Sequence, residues 1–525
     1  MSKKENSTSN LNEDDKNNSL YAARTKIFPK DVKGNFRKFK LIMLVVTLGI
    51  YYITPWLRWD RGEFAPDQLL LLDIANRRFY FAFLEIWPQE FYYVAGLLLM
   101  AGVGLFLATS AVGRAWCGYA CPQTVWTDLF MYVDRAIEGD RNASIKLDKA
   151  PWSVNKFSKK ALKHFTWLLI SLITGITFTL YFADALPLTI SILTLKAPFV
   201  AYATIGILTS TTYLFAGIMR EQLCIYMCPW PRIQGAMLDE HSLTVTYNDW
   251  RGEPRSKHAK KQALLGNPVG DCVDCDACVA VCPTGIDIRD GQQLECITCG
   301  LCIDACDNVM DKLGKERGLI SYTTFNFYNE NMDIATNGAY THKGTPTKKA
   351  LKAIDITRVR DSKTKKIKPE FKHTNLRSIV RFRTIMYFTI WGLIGLAMLL
   401  TLVNRSPLDL NVLRDRNPRF VMLSDGAVRN GYDVKILNMT PHLRTVELSI
   451  EGLPNAKMIL GGTGKEATKT IKLDLAPDRV LPIRLYIKTD PKTINAGRTD
   501  FILKIDNIEN EENASAKVIF EAPKK

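Results

Sequence analysis

The sequence predicts a multi-domain membrane protein, in which an α-helical transmembrane bundle is joined to a cysteine-rich domain and a C-terminal all-β sandwich. Three observations predict this fold class: five long apolar runs, two dense cysteine runs between the fourth and fifth of them, and alternating apolar and polar residues from about Leu408 onward. The 525 residues exceed one ordinary domain. The net charge of +16 suits nucleic acid or a membrane surface, so the positions of the charges must decide between them.

Each apolar run lacks charged residues and is long enough to cross a hydrocarbon core of about 30 Å at ~1.5 Å per residue. The five predicted spans are Leu41–Leu57, Phe91–Val112, Phe165–Ala183, Ala197–Ile218 and Ile385–Val403. Buried core helices are the less favoured interpretation, because soluble chains seldom repeat such runs. Two shorter apolar stretches, Leu69–Leu72 and Ala185–Leu195, fit interfacial or re-entrant segments better.

Lysine and arginine in the loops predict the orientation, since cytoplasmic loops carry an excess of both. Basic residues crowd before the first span, after the second span and before the fifth, whereas the loop between the third and fourth spans has only Lys196. The N-terminus and the cysteine-rich domain are therefore expected in the cytoplasm, and the tail from Asn404 outside. The loop Arg58–Arg78 is the exception, and its length and acidic residues weaken its signal.

The expected domain boundaries follow from these spans. They are a disordered N-terminus at 1–37, the transmembrane bundle at 38–220, a cytoplasmic domain at 221–382, the fifth span at 385–403 and an exported domain at 404–525. The exported domain shows alternating strands such as RTVELSIEGL and TDFILKIDNI, separated by Gly, Pro and Asn turns. Such spacing is typical of an all-β sandwich, which must here hold by packing because the tail has no cysteine.

All 12 cysteines fall where this topology predicts the reducing cytoplasmic side, so metal ligands or redox groups are expected rather than disulfides. The runs CVDCDACVAVCP and CITCGLCIDAC each have the spacing C-x2-C-x2-C-x3-C, in which the fourth cysteine ligates the other [4Fe–4S] cube. Cluster one is expected to use Cys272, Cys275, Cys278 and Cys306, and cluster two Cys296, Cys299, Cys302 and Cys282. Asp307 stands where proline is usual, which weakens the predicted turn but not the ligand count. Zinc is the competing interpretation, but zinc sites usually take two C-x2-C pairs alone.

Two further cysteine pairs lie in the motifs WCGYACP and LCIYMCP, at Cys117/Cys121 and Cys224/Cys228. Residues four apart share a helix face. The proline after the second cysteine of each pair disfavours a helical conformation for that cysteine. Each pair is therefore expected where the helix of the second or fourth span ends. Small buried residues that pack helices are the alternative, but the repeated spacing, proline and depth favour a function. Soft thiolates select Cu(I), zinc or iron–sulfur clusters, or the pairs cycle as disulfides, and the sequence leaves these open.

Several other functions have little support. None of the six histidines lies inside a span, which argues against a membrane b-haem. Walker, Rossmann and HExxH patterns are missing from the sequence, and GGTGK at Gly461–Lys465 fits a turn. The basic segment Lys348–Lys372 lacks interleaved aromatic residues, so nucleic acid is not an expected partner. Met422, Met439, Met458 and His442 are interpreted as core and surface residues rather than copper ligands.

The order of these motifs resembles the cytochrome c oxidase accessory family called CcoG, FixG or RdxA. The resemblance covers nearly everything after residue 25 and includes CPTGIDIRDG, KERGLISY and VLRDRNPRF. It implies a bacterial inner-membrane protein with a periplasmic immunoglobulin-like domain, which reduces Cu(II) to Cu(I) for assembly of the cbb-type cytochrome c oxidase. It also implies that Cys117, Cys121, Cys224 and Cys228 bind copper and catalyse its reduction, with oxidase subunits or their copper chaperones as partners. The electron donor is not identified, and a homodimer is left open.

Two other functions stay open. Membrane subunits of nitrate-reductase systems share the paired C-x3-C-P motifs and ferredoxin runs and relay quinol electrons, although an exported sandwich is not expected in them. The third hypothesis is a non-enzymatic assembly scaffold, in which the sandwich binds oxidase subunits and the clusters are structural or sensory.

Overall fold

The computed structural model describes residues 26–62, 65–338, 340, 351, 354–360, 366–371, 379–440, 442–462, 467–490, 497–508 and 512–523. Two compact units are present. Unit 1 comprises Met1–Tyr52, Ala101–Ile176 and Val200–Thr389, and unit 2 comprises Ile53–Met100, Thr177–Phe199 and Ile390–Lys525. The prediction of disorder at 1–37 was wrong for residues 26–37, because Val32 and Arg37 are buried and a helix begins at Asn35. Residues 1–25 lie outside the described residues, as do much of Lys348–Lys372 and most of the GGTGK turn.

Helices account for most of unit 1, and several continue into unit 2. They are α1 (Asn35–Ile53), α2 (Tyr92–Val112), α3 (Ala115–Tyr119), α4 (Pro122–Glu138), α5 (Arg141–Lys149), α6 (Val154–Thr179), α7 (Ala185–Leu193), α8 (Phe199–Thr212), α9 (Trp230–Met237), α10 (Asp249–Gly252), α11 (Ala259–Leu264), α12 (Ala277–Ala280), α13 (Leu301–Lys312), α14 (Phe325–Thr336), α15 (Ile356–Val359) and α16 (Phe382–Val403). Two π-helical segments, Tyr213–Met219 and Leu223–Met227, follow α8.

Five helices are long and apolar enough to cross a membrane. They occupy Asn35–Trp56, Pro88–Val112, Val154–Thr179, Phe199–Met219 and Phe382–Val403. The prediction of five such helices is confirmed, and their many exposed apolar side chains are what a lipid-facing surface requires. The third begins before the predicted span, because the charged stretch ahead of Phe165 is also helical.

The two shorter apolar stretches take different structures. Ala185–Leu193 is a separate helix, and its first turn is capped by Asp184, whose carboxylate accepts the Leu186 N–H at 3.2 Å. Leu70–Asp73 is a β-strand, and the expectation of an interfacial or re-entrant location for Leu69–Leu72 stays a prediction. Its leucines pair with the aromatic residues of Arg78–Phe81 across an antiparallel hairpin, which gives them a partner that the sequence alone did not reveal.

The strands form four sheets. Their bounds are β1 (Leu70–Asp73), β2 (Arg78–Phe81), β3 (Leu84–Ile86), β4 (Thr244–Tyr247), β5 (Ile320–Thr323), β6 (Leu408–Arg414), β7 (Val421–Met422), β8 (Val428–Asn438), β9 (Arg444–Glu451), β10 (Lys457–Leu460), β11 (Thr470–Leu475), β12 (Arg479–Thr489), β13 (Arg498–Asn507) and β14 (Asn513–Glu521). In unit 1, β4 and β5 pair antiparallel, with Val245 opposite Tyr322, beside the cysteine runs.

The C-terminal part of unit 2 confirms the predicted all-β domain. One sheet has the order β10-β12-β8-β6 with β7 also paired to β8, and the other has the order β11-β9-β13-β14. Alternate side chains of both sheets form one apolar core, in which Tyr432, Phe501 and Phe520 are fully buried. Met458 belongs to this core and Met422 is exposed.

A charged network in unit 2 ties the β1–β3 hairpin to the loop before β12. Arg78 lies 3.1 Å from the Glu85 carboxylate and 2.5 Å from that of Asp478, and its guanidinium stacks on Trp87 at 3.8 Å. Burial, followed by the charge of Asp478, raises the pKa of Glu85 to about 7. Glu85 is therefore protonated over a pH range where an unfolded glutamate is ionised.

Glu85→Gln is expected to flatten the pH dependence of unfolding in this unit. Between about pH 4.5 and 7 the folded state holds a proton that the unfolded state has lost, so the free energy of unfolding falls as pH rises, by on the order of 1–3 kcal/mol. Glutamine cannot ionise and should remove that slope. Chemical denaturation of the detergent-solubilised protein at several pH values, followed by circular dichroism of the β-sandwich, measures it. The exposed Asp500, changed to Asn, is the control, and an unchanged slope in Glu85→Gln would contradict the assignment.

Candidate redox and metal-binding site

The two cysteine runs fold in the same way. Left-handed backbone occurs at the second and fourth residues after the first cysteine of each run: Asp274 (φ 51°) and Asp276 (φ 55°), then Thr298 (φ 50°) and Gly300 (φ 71°). Three of these four are not glycine, and such residues adopt this conformation only where the surroundings enforce it. Each turn then leads into a helix, α12 or α13. Both runs therefore bend twice within a few residues, as a loop that wraps around a cluster must.

Each predicted set of four cysteines lines its own cavity. Cys272, Cys275, Cys278 and Cys306 line the first, whose walls include Tyr247, Leu319 and Ile320. The second is lined by Cys282, Cys296, Cys299 and Cys302, and also by Cys278. The fourth cysteine of each run thus lies with the first three of the other run. Because Cys278 lines both cavities, the two cavities adjoin.

The donor set of each cavity fits a cube rather than a single ion. Among the described residues, no group of three or more His, Cys, Asp or Glu side chains is close enough to hold one metal ion. A structural zinc ion draws its four ligands to about 2.0–2.3 Å, whereas a [4Fe–4S] cube takes one thiolate at each of four irons. Two all-cysteine sets around apolar cavities therefore have the chemistry that iron–sulfur cubes require.

Burial raises the pKa of several of these thiols. It raises the pKa of Cys278 and of Cys296 to about 12, although nearby Arg289 and Arg114 respectively act in the opposite direction. Metal binding must then displace the thiol protons, because the thiolate is the ligand.

Arg289 holds the start of the first cysteine run, residues 272–276, in its bent conformation, and we call this segment the cluster-one loop. Its guanidinium donates hydrogen bonds to Asp274 at 2.7 Å, to Asp276 at 2.6 Å and to Asp287 at 2.6 Å. The first two are the left-handed residues of the run, so one side chain fixes both bends. Arg289 was not among the predicted site residues, and its place in the CPTGIDIRDG stretch was the available signal.

Asp307 has a structural reason for replacing proline. The helix α13 continues past Cys306 to Lys312, and a proline at 307 would interrupt its hydrogen bonds. The Asp307 carboxylate instead accepts the Gly318 N–H at 2.9 Å, which fixes the chain ahead of β5. The first run ends differently, because α12 stops at Ala280 before Cys282 and Pro283.

The four cysteines of the C-x3-C-P motifs do not sit on the ends of the long apolar helices as expected. The helix α2 ends at Val112, and after Gly113 the short helix α3 carries Cys117. Cys121 is extended (ψ 130°) and precedes α4, while Cys224 lies in a π-helical segment and Cys228 is extended (ψ 122°). Pro122 and Pro229 explain both extended residues, as predicted. The second span ends at Val112 as predicted, and Gly113, with a positive φ of 64°, separates it from the short helix that carries Cys117.

The four thiols nevertheless lie close to one another. Burial, and then the neighbouring Cys121, raise the pKa of Cys117 to about 12, and Cys224 and Cys228 act in the same direction. Burial, with Cys121 and Cys228, likewise raises the pKa of Cys224 to about 12. The mutual influence of thiols from both motifs places the four in one region, which we call the thiol site (Cys117, Cys121, Cys224, Cys228), and among the described residues no three of them are close enough to hold one metal ion.

A buried amide contacts the thiol site. The Cys117 thiol lies 3.1 Å from the Gln234 side-chain oxygen, and the Gln234 amide donates to the Thr109 hydroxyl at 3.1 Å. Gln234 is fully buried on α9, five residues after Pro229. Nothing in the sequence pattern identified it, since a glutamine in a short helix is usually exposed.

The helix that carries Cys117 packs directly on the start of the second cysteine run, where residues 294–300 form what we call the cluster-two loop. A Cβ on Gly118 would lie 2.7 Å from the Ile297 carbonyl oxygen and 3.2 Å from the Cys299 Cα. The Tyr119 hydroxyl donates to the Cys299 carbonyl at 2.8 Å. The thiol site therefore adjoins the loop of the second cavity through backbone contact.

Arg114 links the cluster-two loop to the segment that follows the second C-x3-C-P motif. Its guanidinium donates to the carbonyls of Leu294 and Cys296 on the cluster-two loop, and to the Pro231 carbonyl at 2.7 Å just after the second C-x3-C-P motif. One buried cation thus holds both motifs and the loop together. In the sequence, Arg114 stood out only as a basic residue of a predicted cytoplasmic loop.

Comparison with known families supports iron–sulfur chemistry. Residues 219–325 match a 4Fe-4S dicluster domain, and residues 94–138 match a 4Fe-4S binding domain. Residues 398–523 match a domain described as an IG-like fold at the C-terminal of FixG. The first match covers all eight cluster cysteines together with Cys224 and Cys228, and the second covers Cys117 and Cys121.

Curated relatives match nearly the whole chain. Nitrogen fixation protein FixG of Rhizobium meliloti is 60% identical over 473 residues, covering 90% of this chain and 88% of that protein. Protein RdxA of Cereibacter sphaeroides is 47% identical, over 93% of this chain and 95% of its own length, and protein RdxB of the same organism is 48% identical, over 97% and 98%. A crystal structure of a FixG-related protein from Vibrio parahaemolyticus aligns at 25% identity and a TM-score of 0.19, over 23% of this chain and 99% of that chain.

Proposed function

This chain is an iron–sulfur electron-transfer protein of the FixG family, and we propose that it acts as a cupric reductase, which converts Cu(II) to Cu(I) for assembly of the cbb-type cytochrome c oxidase. The observation that carries this proposal is the short helix α3, which carries Cys117 of the thiol site and contacts the cluster-two loop through Gly118 and Tyr119. Cu(II) needs one electron to become Cu(I), and iron–sulfur cubes, when bound, supply electrons one at a time.

The protein's own groups would drive the reaction in one direction. Soft thiolates prefer Cu(I), so the thiol site stabilises the product of the reduction over the substrate. Copper binding releases the protons of Cys117 and Cys224, since burial keeps these thiols protonated in the free protein. In this proposal copper draws Cys117, Cys121, Cys224 and Cys228 closer together than they lie in the free protein and is bound by them. Gln234 orients the Cys117 thiol, and Arg114 balances thiolate charge.

The eight remaining cysteines are assigned to the two cubes. Cluster one takes Cys272, Cys275, Cys278 and Cys306, and cluster two takes Cys282, Cys296, Cys299 and Cys302, which are the sets that line the two cavities. The proximity of Gly118 and Tyr119 to Cys299 makes cluster two the nearer of the two to the thiol site.

We further propose an inner-membrane location, with the N-terminus and cluster domain in the cytoplasm and the C-terminal domain in the periplasm, because basic residues concentrate in the corresponding loops. Cytosolic glutathione is itself reducing, at about −220 to −320 mV depending on the method, so a dedicated reductase needs a further reason. Handing Cu(I) directly to an oxidase subunit or a copper chaperone, without release, supplies that reason.

The test is anaerobic copper reduction by the purified protein in detergent. We expect reduced clusters to be oxidised by Cu(II) with stoichiometric Cu(I), followed by EPR and a chromogenic Cu(I) chelator. Cys117→Ser/Cys121→Ser and Cys224→Ser/Cys228→Ser should lose this reaction or slow it greatly while retaining both clusters. Met227→Ser, which changes an exposed sulfur-bearing neighbour of Cys228, is the matched control and should react like wild type.

Two outcomes of this experiment would contradict the copper proposal. Equal rates in the cysteine variants would mean that copper meets the clusters elsewhere. Iron in excess of two cubes, lost in the same variants, would mean that the thiol site holds an iron–sulfur cluster instead. Oxidase assembly that persists in cells when the clusters are lost but the protein accumulates would favour the scaffold hypothesis.

One observation favours a quinol-linked electron relay as the second candidate. A cavity of about 430 Å³ in unit 1 is lined by Trp167, His164 and Glu138, and the His164 Nδ1 lies 2.9 Å from the Tyr213 hydroxyl. The cavity is lined largely by charged side chains, which include Lys160, Lys163 and Arg220. The indole of Trp167 beside potential proton acceptors nevertheless suits quinol, which releases two protons and two electrons on oxidation. Reduction of the oxidised clusters by a short-chain quinol in the absence of copper, abolished in His164→Ala, would support the relay. Full reduction in that variant would remove the cavity from consideration.

A further inference from the structure

Helix α1 carries a buried lysine that has no hydrogen-bond partner among the described residues. Lys40, on α1, is 3% exposed, and its ammonium is 3.7 Å from the Asp128 carboxylate, beyond hydrogen-bond distance. Among the described residues its Nζ forms no hydrogen bond. Burying a charge in this way is costly unless another charge compensates for it. The position of Lys40 therefore needs an explanation.

Asp128 does not supply that explanation, because it is already neutralised. The Arg37 guanidinium donates to both Asp128 carboxylate oxygens, at 3.0 and 2.9 Å, and both residues are buried. Arg37 also lies 3.8 Å from the Asp31 carboxylate, which Arg135 shares at 3.3 Å. With these two included, the group of Arg37, Lys40 and Asp128 still carries one excess positive charge. A second anion near Lys40 would balance it.

The first turn of α1 is fixed to the polypeptide that surrounds cluster two. The backbone N–H groups of Phe36 and Arg37 donate to the Asp304 carboxylate at 3.3 and 2.8 Å, and Asp304 lies between Cys302 and Cys306 on α13. The Phe36 ring sits where a Cβ on Gly300 would approach it to 2.7 Å, directly after Cys299. Lys40 follows one helical turn after Phe36.

The aromatic side chain next to Lys40 reaches the same loop. The Phe39 ring packs edge-on against Tyr119 with centroids 4.9 Å apart, and the Tyr119 hydroxyl bonds to the Cys299 carbonyl. Lys40 therefore lies on its helix next to side chains that pack on the cluster-two loop or on Tyr119 beside it.

A [4Fe–4S] cube held by four thiolates is an anion, and reduction adds a further negative charge to it. Net charge, burial and hydrogen bonding around the cube set its reduction potential. A fixed cation beside it favours the reduced form, and burial strengthens that interaction because little water screens it.

We propose that Lys40 tunes cluster two, and that its ammonium raises the reduction potential of that cluster specifically. Cluster two would then retain an electron beside the thiol site, where Gly118 and Tyr119 make contact with its loop. This inference rests on the iron–sulfur part of the proposed function and not on copper. Potentials measured without copper therefore test it independently of copper reduction.

The cluster-one loop has a different set of partners. Its charged neighbours include Asp274, Asp276 and Asp287, which Arg289 bridges. Arg289 is thus engaged by three carboxylates, whereas the ammonium of Lys40 has only the shared Asp128 among the residues that the structure describes. Removal of Lys40 should affect the two clusters unequally.

The experiment is an EPR-monitored redox titration of the purified protein without copper. Lys40→Met is a substitution of similar length without charge. In this variant the midpoint potential of cluster two should fall by on the order of 59 mV, which is a tenfold change in the one-electron equilibrium. The potential of cluster one should stay at its wild-type value. Lys40→Arg keeps the charge and should restore the cluster-two potential. Lys38→Met removes an exposed lysine of the same helix and is the matched control.

Two results would overturn the proposal: an unchanged cluster-two potential in Lys40→Met, or an equal shift of both clusters. If Lys40→Met does not retain both clusters, Lys40→Gln takes its place, since glutamine keeps a polar head group of comparable reach without the charge. The same selective fall is then expected, and its absence in Lys40→Gln would equally reject the role of the ammonium.

Discussion

Gly118→Ala is expected to slow Cu(I) formation by between about 10- and 100-fold, although it adds a single methyl group outside the predicted ligands. The new Cβ would lie 2.7 Å from the Ile297 carbonyl oxygen and 3.2 Å from the Cys299 Cα, and both are backbone atoms that cannot rotate away. Either α3 or the cluster-two loop must move. Because α3 carries Cys117, the thiol site and the loop would separate by a fraction of an ångström or more.

The measurement compares the rate of copper reduction with the cluster content. Overpacking of this kind costs about 1–3 kcal/mol, so we expect the variant to fold and to retain cluster one. Gly102→Ala is the matched control, since Gly102 is also helical and a Cβ added there would have no neighbouring atom within 4 Å. A wild-type rate in Gly118→Ala with both clusters present would mean that electrons reach the thiol site by another route.

Tyr119→Phe tests the contribution of the Tyr119–Cys299 hydrogen bond separately from that of the Gly118 backbone contact. It removes the 2.8 Å bond to the Cys299 carbonyl but leaves the glycine contact intact. A smaller loss of rate is expected than in Gly118→Ala, because the neighbouring backbone need not move. An equal loss would transfer the main role from the glycine to the tyrosine.

The sequence predicts most of the fold because its signals are long or strongly periodic. Apolar runs without charge identify five helices, and alternation over the last part of the chain identifies the β domain. The strand Leu70–Asp73 was not identified, because a short apolar run has no periodicity that separates a strand from other apolar segments. Its antiparallel partner, Arg78–Phe81, becomes evident only in three dimensions.

The candidate site is predictable where spacing alone defines the chemistry. The two cysteine runs specify their crosswise sets, and the same sets line the two cavities. The residues that join the sites are different, because Gly118, Gln234 and Lys40 act through contacts between distant parts of the chain. A glycine, a glutamine and a lysine in helices carry no sequence signature for such roles.

The crosswise arrangement of the cysteines leads to the second prediction with a large expected effect. Cys306→Ser is expected to abolish cluster one and leave cluster two, although Cys306 follows three cluster-two cysteines in the sequence. Cys282→Ser should do the reverse. The reason is positional: Cys306 lines the cavity of Cys272 and Cys275, and Cys282 lines that of Cys299.

Two reference variants assign the signals without further assumptions. Cys275→Ser removes a cysteine that lines only the first cavity, and Cys299→Ser removes one that lines only the second. The EPR spectrum and iron content of reduced Cys306→Ser should match those of Cys275→Ser, and Cys282→Ser should match Cys299→Ser. If Cys306→Ser instead matches Cys299→Ser, each run holds its own cube. The α13 helix, which carries Cys302 and Cys306 one turn apart, would then have to present both thiols to one cavity, whereas the fold directs them to two.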